Sequence, residues 1–210
     1  MRIGIIGAGN VGGTLGRAWA KSGHDVLFGV RNPTAPQVRS LLADAGGRAR
    51  AGAVAGAAAH GDVVVFATPW AATQDAVGEA GDLTGKVVLD CTNPLKADLS
   101  GLEIGHSTSG GERVAAWASS QGVVKIFNTT GFENMGNPAY GGDPITMFLA
   151  GDDAGAKAVA AQLAAEIGFD PVDAGPLATA RLLEPLGLLW IHLAIRQGHG
   201  TGIAFRLARR

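Results

Sequence analysis

The segment IIGAGNVG carries Gly7, Gly9 and Gly12 at G-x-G-x-x-G spacing, directly after a short apolar run and directly before a stretch of helical composition. Glycine accounts for 33 of the 210 residues, so the bare pattern carries little weight. Its context carries more. Between a buried strand and a helix, Gly7 can make the tight turn, Gly9 can let the backbone approach a pyrophosphate, and Gly12 can let helix and strand pack closely. The N–H groups of Asn10 and Val11, at the helix start, can then point at phosphate oxygens. The chemistry this suits is the grip of a dinucleotide.

The next residues to weigh lie in VLFGVRNP, where a second strand runs out into Gly29, Val30, Arg31 and Asn32. An Asp or Glu at that strand end would accept hydrogen bonds from both ribose hydroxyls and repel a 2′-phosphate. Arg31 instead offers a charge-assisted partner for a phosphate and a flat group able to stack on adenine. Asp25 lies at the other end of the strand and cannot take the ribose role. The residues favour NADP(H) over NAD(H).

Three further loops fall at the carboxyl ends of later strands: Thr68-Pro69-Trp70, Asn93-Pro94 and Asn128-Thr129-Thr130-Gly131. In an open α/β sheet such loops border the ligand crevice, so the first two are expected on the nicotinamide and the third on its hydride acceptor. Cys91 has no triad-like helpers in sequence and reads as a small buried residue. The five histidines show no metal-ligand spacing, so no metal site is expected. Lys96, Lys125 and Tyr140 could give a proton, but sequence assigns none of them a partner. The expected role of the site is positioning, with no dedicated catalytic side chain.

These residues need elements to hold them. Strands are predicted at Ile3–Ile6, Val26–Phe28, Arg48–Ala51, Asp62–Ala67, Lys86–Asp90, Val123–Phe127, Ile145–Ala150 and within FDPVD. Helices are predicted at Val11–Ser22, Gln37–Ala45, Arg113–Ser120 behind a Ser109/Glu112 capping box, and Ala154–Ile167 capped by Asp152 or Asp153. A further helix should begin at Thr68-Pro69, with Thr68 as cap and Pro69 in the first helical position. Alternation of this kind implies an α/β fold, a Rossmann-type doubly wound and mainly parallel sheet.

Residues 1–175 are expected to form the NADP-binding domain. Residues 176–210 are expected to form a C-terminal helical segment that closes the acceptor site. Its long helix, Ala178–Gln197, is apolar around most of its circumference, which predicts a homodimer interface. The basic end RLARR reads as a solvated helix terminus. A formal charge of -1, with 17% charged residues, speaks against nucleic acid as a partner. The opening MRIGIIGAG predicts neither a signal peptide nor a membrane span, and the single cysteine fits a cytoplasmic setting.

Beyond single motifs, IGIIGAGNVGGTLG, FGVRNP, ATPW and above all VDAGPLATARLLEPLGLLWIHLA resemble the NADPH-dependent reductases of the deazaflavin coenzyme F420 and the dinucleotide-binding reductases around them. The resemblance covers nearly the whole chain. It implies NADP binding through the glycine loop, Arg31 and the TPW loop, and an acceptor site closed by the segment holding Pro176 and Leu177. The stretch FNTTGFENMGNPAYGGDP resembles a bacterial subgroup rather than the archaeal enzymes. The acceptor implied is a deazaflavin (F420) or a flavin, the latter through the related reductase domain of membrane metalloreductases. Two other readings stay open from the residues themselves: an NADPH-dependent reductase of a small carbonyl or imine, and a non-catalytic NADPH-binding module.

Overall fold

Apolar runs of four or five residues are too short for helices and too apolar for surface strands, and they fold as the centre of a sheet. The computed structural model describes residues 1–210. Eight strands form one sheet: β1 (Arg2–Ile6), β2 (Asp25–Gly29), β3 (Ala49–Gly52), β4 (Val63–Phe66), β5 (Val87–Asp90), β6 (Val123–Lys125), β9 (Thr146–Gly151) and β10 (Asp170–Asp173). Their spatial order is β10-β9-β6-β5-β4-β1-β2-β3. Two shorter strands, β7 (Ala139–Tyr140) and β8 (Asp143–Pro144), make a separate hairpin. The fold is a Rossmann-type α/β sheet, mainly parallel, with the strand order reversing between β1 and β4.

Side chains alternate between two cores, as the period of a strand requires. Ile3, Ile5, Val63, Val65 and Leu89 enter the larger apolar layer. Ile6, Val64, Phe66 and Val88 enter the smaller one on the opposite face. Helices cover both: α1 (Asn10–Lys21), α2 (Pro36–Ala45), α3 (Val54–His60), α4 (Trp70–Ala80), α5 (Gly110–Ala118), α6 (Phe132–Gly136), α7 (Ala154–Glu166) and α8 (Ala180–Ile191).

Several local expectations are corrected. Thr68 does not cap α4; Pro69 stands at the N-cap and Trp70 is the first helical residue. The Thr68 hydroxyl instead pairs with that of Thr73 at 2.9 Å. Helix α3 gave no amphipathic signal because VAGAAAH has almost no large side chains. It exists because small residues let it lie directly on the sheet: a Cβ on Gly4 would overlap the Ala57 carbonyl, and one on Gly29 would stand 2.9 Å from the Ala57 Cβ. Strand β9 runs antiparallel to β6, with Lys125 opposite Ala150. The stretch between them contains only the five-residue α6 and the β7–β8 hairpin, and no full crossover helix turns the chain round. The hairpin had a readable signal, Gly141-Gly142, whose φ values are 62° and 92°.

The predicted C-terminal helix is divided. A 3₁₀ turn (Leu177–Thr179) precedes α8, and a π-helical turn (His192–Arg196) follows it. The last residues form no helix. Trp190 Nε1 donates to the Ile203 carbonyl at 2.6 Å, and the Thr146 N–H donates to the Phe205 carbonyl at 3.2 Å. By length and composition Leu177–Arg196 could cross a membrane. In this fold it is bound across the ends of β5 and β6.

Candidate active site

The turn from β1 into α1 is built by backbone approach. Gly7 has φ +103°, a region that side chains disfavour, and a Cβ there would stand 2.7 Å from the Ala67 carbonyl oxygen. A Cβ on Gly12 would overlap the Gly7 carbonyl oxygen. Gly9 differs: no protein atom lies within 4 Å of the place its Cβ would take. That position opens onto a cleft. The first amide of α1 returned to a carbonyl is that of Gly13, to Gly9 at 2.7 Å. The earlier N–H groups, those of Asn10 and Val11, remain at the positive end of the helix. The loop therefore fits a pyrophosphate: two glycines make the turn, and the third leaves the space.

The cleft has a volume of about 780 Å³ and runs from Gly7, Ala8 and Gly9 past Val30, Arg31 and Asn32 to Thr68 and Pro69. Arg31 is exposed and makes no hydrogen bond or ion pair within the chain. Its loop is nonetheless ordered. Asn32 Oδ1 accepts from the Thr34 N–H at 3.1 Å and the Thr34 hydroxyl at 2.9 Å, while Arg39 donates to the Thr34 carbonyl at 2.8 Å. The guanidinium thus projects uncommitted from a braced turn. Asp25 is paired with Arg50 at 2.9 Å, at the far end of β2.

Comparison with known proteins decides the family. A model described as NADP oxidoreductase, coenzyme F420-dependent, matches residues 2–94. A solved structure from Arthrobacter sp. FB24, described as a candidate F420-dependent NADP-reductase, is 34% identical, covers 100% of both chains and superposes with a TM-score of 0.90. The chain belongs to the coenzyme F420-dependent NADP oxidoreductase family. Metalloreductase STEAP3 of Rattus norvegicus is 30% identical over 193 residues, 90% of this chain, and the chain spans only 37% of that relative's length. A reductive aminase from Aspergillus terreus shares the fold at 22% identity, over 94% of this chain and 62% of its own, with a TM-score of 0.66. The family is one of NADP-dependent oxidoreductases, and the glycine loop of this chain has the geometry that NADP binding requires.

The other half of the site is closed. Trp70 stacks on Trp117 with ring centres 5.4 Å apart, and a Cβ on Gly110 would stand 3.2 Å from both Trp70 and Pro94. Asn93 Nδ2 donates to the Asn128 carbonyl at 2.9 Å, and Asn128 Nδ2 donates back to Asn93 Oδ1 at 3.1 Å and to the Leu183 carbonyl at 3.0 Å. Asn128 Oδ1 is buried without a donor. The turn into Asn128 is sharp, since buried Phe127 has φ +61°. Thr129 is buried with its hydroxyl toward Met147 Sδ, and Thr130 Oγ1 accepts from Asn134 at 2.8 Å. Gly131 faces Trp190 so closely that its Cβ would overlap the indole. Leu177 is 6% exposed and belongs to the smaller core, while Pro176 before it is exposed. The structure brings Trp70, Pro94, Asn93, Asn128 and Gly131 together beneath α8, and it makes Thr129 and Leu177 packing residues.

Sequence reasoning did not find Glu184. This carboxylate is fully buried and accepts from the N–H groups of Gly110 at 2.9 Å and Gly111 at 3.0 Å. It also meets Lys125 Nζ at 2.9 Å, and Lys125 in turn reaches Asp90 Oδ2 at 2.9 Å and the Thr92 carbonyl at 2.5 Å. Burial pushes the Lys125 ammonium down, but Asp90 and Glu184 outweigh it and hold its pKa above the ordinary lysine range. Lys125 is therefore no free proton donor. The only sequence signal was a carboxylate, Glu184, set among the leucines of a mainly apolar helix. Cys91 is buried, and burial first, then Asp90, pushes its thiol far above the ordinary value, so it is no nucleophile. The Tyr140 hydroxyl donates to Asn134 Oδ1 at 2.6 Å, and burial raises its pKa despite that bond.

Proposed function

We propose that this protein transfers hydride between NADP(H), held along the glycine cleft, and a deazaflavin or flavin-type acceptor placed against the β5–β6 end of the sheet. The observation that carries this reading is the commitment of the buried charges at the strand ends: Asp90, Lys125 and Glu184 satisfy one another, and the half-buried Tyr140 is engaged with Asn134. A small carbonyl or imine would ask for a donor aimed at it. A flavin-like ring carries its own electronic sink and asks the protein chiefly for placement.

In this reading, Gly9, Asn10 and Val11 hold the pyrophosphate, and Val30, Arg31 and Asn32 hold the adenosine with its 2′-phosphate. Thr68, Pro69 and Trp70, with Asn93 and Pro94, flank the nicotinamide, which when bound supplies or accepts the hydride. Asn128, Thr130, Gly131 and Pro176 border the acceptor and keep water from it. Single substitutions of Lys96, Tyr140 or any histidine are expected to lower the rate by far less than the roughly 100-fold associated with losing a general acid or base.

The test is NADPH oxidation, followed by absorbance, with F420, FMN, FAD, riboflavin, small carbonyls and a cyclic imine. Turnover with a deazaflavin or flavin is expected. Turnover with carbonyl or imine alone overturns the acceptor class.

A cytoplasmic homodimer completes the proposal. Leu182, Leu189 and Ile195 are 70%, 46% and 58% exposed along the C-terminal helix, and a second copy of the chain would cover them. Light scattering at micromolar concentration checks this, since a mass of 21.2 kDa would mean a monomer.

A further inference from the structure

We propose that Glu184 is a positioning residue: its carboxylate latches α8 to β5, β6 and α5 in one register, and so sets the geometry of the acceptor side. The assignment of that side rests on the function proposed above. The latch itself rests on contacts alone.

Glu184, Gly187 and Trp190 stand at i, i+3 and i+6, along one face of α8. Each meets a different part of the sheet end. Glu184 joins Lys125 of β6, and through it Asp90 of β5, while both of its oxygens accept from the first turn of α5. Gly187 lies on the asparagine pair: a Cβ there would overlap the Asn128 carbonyl and stand 3.3 Å from both terminal atoms of Asn93. Trp190 lies on Gly131 and is anchored by the Ile203 carbonyl.

Apolar side chains of similar volume could fill this space with equal or greater stability, because three buried charges carry a large desolvation cost. What charge adds is direction. Two carboxylate oxygens, two amides and one ammonium fit in a single arrangement, and a shift of α8 by one residue would break all of their bonds. Two carboxylates share one lysine, and the positive end of α5 offsets the remaining negative charge. The apolar face of a helix alone would let α8 slide or roll. Gly187 and Trp190 have no such tolerance, since neither contact leaves room for displacement.

The experiment compares the full-length wild type, Glu184→Gln, and the uncharged variant Asp90→Asn/Lys125→Met/Glu184→Met. Glutamine removes the charge and places an amide donor among donors. Three quantities are read: hydrogen exchange at Gly110, Gly111 and α8; the side-chain amide resonances of Asn93 and Asn128; and the NADPH dissociation constant by nicotinamide fluorescence.

For Glu184→Gln, exchange at Gly110, Gly111 and α8 should rise by about 10-fold or more, while α1 keeps its protection. The asparagine resonances should shift, and NADPH affinity should hold within about 2-fold. Should Glu184→Gln fail to fold, the uncharged variant decides the matter: it should regain thermal stability without regaining the asparagine resonances. Full recovery of both would reduce Glu184 to core filling. So would uniform loosening that includes α1 and NADPH, or no change at all. With F420 and FMN as acceptors, a raised KM at nearly constant NADPH affinity is expected for both variants. Failure of the wild type to reduce either compound would overturn the proposed acceptor class and leave the latch to be judged by exchange and resonances.

Discussion

Missing side chains play opposite parts at the two ends of the crevice. At Gly9 the absent Cβ leaves open space for a ligand, whereas at Gly110, Gly131 and Gly187 protein atoms already occupy the room. The cofactor end is accordingly an open cleft with an uncommitted cation, Arg31, on a braced turn. The end beneath α8 is a closed junction in which each buried side-chain nitrogen and oxygen except Asn128 Oδ1 has a partner. A dinucleotide is gripped by backbone and charge that wait for it. An acceptor of hydride needs walls that do not move.

The sharpest way to break this contrast is to strip the closed end of its cation. Lys125→Met leaves Asp90 and Glu184 buried without their partner, and should cost about 3–5 kcal/mol in thermal or chemical unfolding. A loss below about 1 kcal/mol would mean that the junction is wetter or looser than its contacts indicate.

Smaller effects separate the glycines of the open end. Gly12→Ala should destabilise the fold by about 1–3 kcal/mol, because its new methyl overlaps the Gly7 carbonyl. Gly9→Ala should leave unfolding within about 0.5 kcal/mol of wild type and still weaken NADPH binding. Calorimetry together with a fluorescence titration distinguishes them. Equal loss of stability for both would dissolve the division between turn-making and space-leaving glycines.

At Arg31 the expected change falls on the ligand alone. Arg31→Ala should weaken NADPH by about 1.5–3 kcal/mol, the range for a hydrogen bond to a charged group, and leave NADH nearly unchanged. A matching loss for both cofactors would assign Arg31 to adenine stacking.

The smallest effect concerns pH. Arg181 donates to both Glu112 oxygens, and that bond, against burial and with help from Ser109, holds the Glu112 carboxyl below its ordinary value of 4.5. A folded value below the unfolded one gives stability that is present above pH 4.5 and lost as pH falls through the lower folded value. Urea midpoints of wild type and Arg181→Ala should therefore differ most near neutrality and converge in acid. A gap that widens as pH falls would contradict the pairing.

The sequence by itself determined the open end. Strand, glycine turn, helix and strand-end arginine are contiguous, and their chemistry depends on local backbone geometry that neighbouring residues impose. It also determined the alternation that makes the sheet, because burial on both faces leaves unbroken apolar runs such as VVVF. Only tertiary structure decided the closed end. Asp90, Lys125 and Glu184 are separated by long stretches of chain, and nothing in their flanking residues says that they meet. The same holds for α3, whose small side chains carry no periodic signal until Gly4 and Gly29 make room for it. It holds for β9 as well, whose reversal follows from what the intervening chain lacks. Local signals specify elements and turns, but partnership between buried charges is settled only when the sheet has brought its strand ends together and α8 has crossed them.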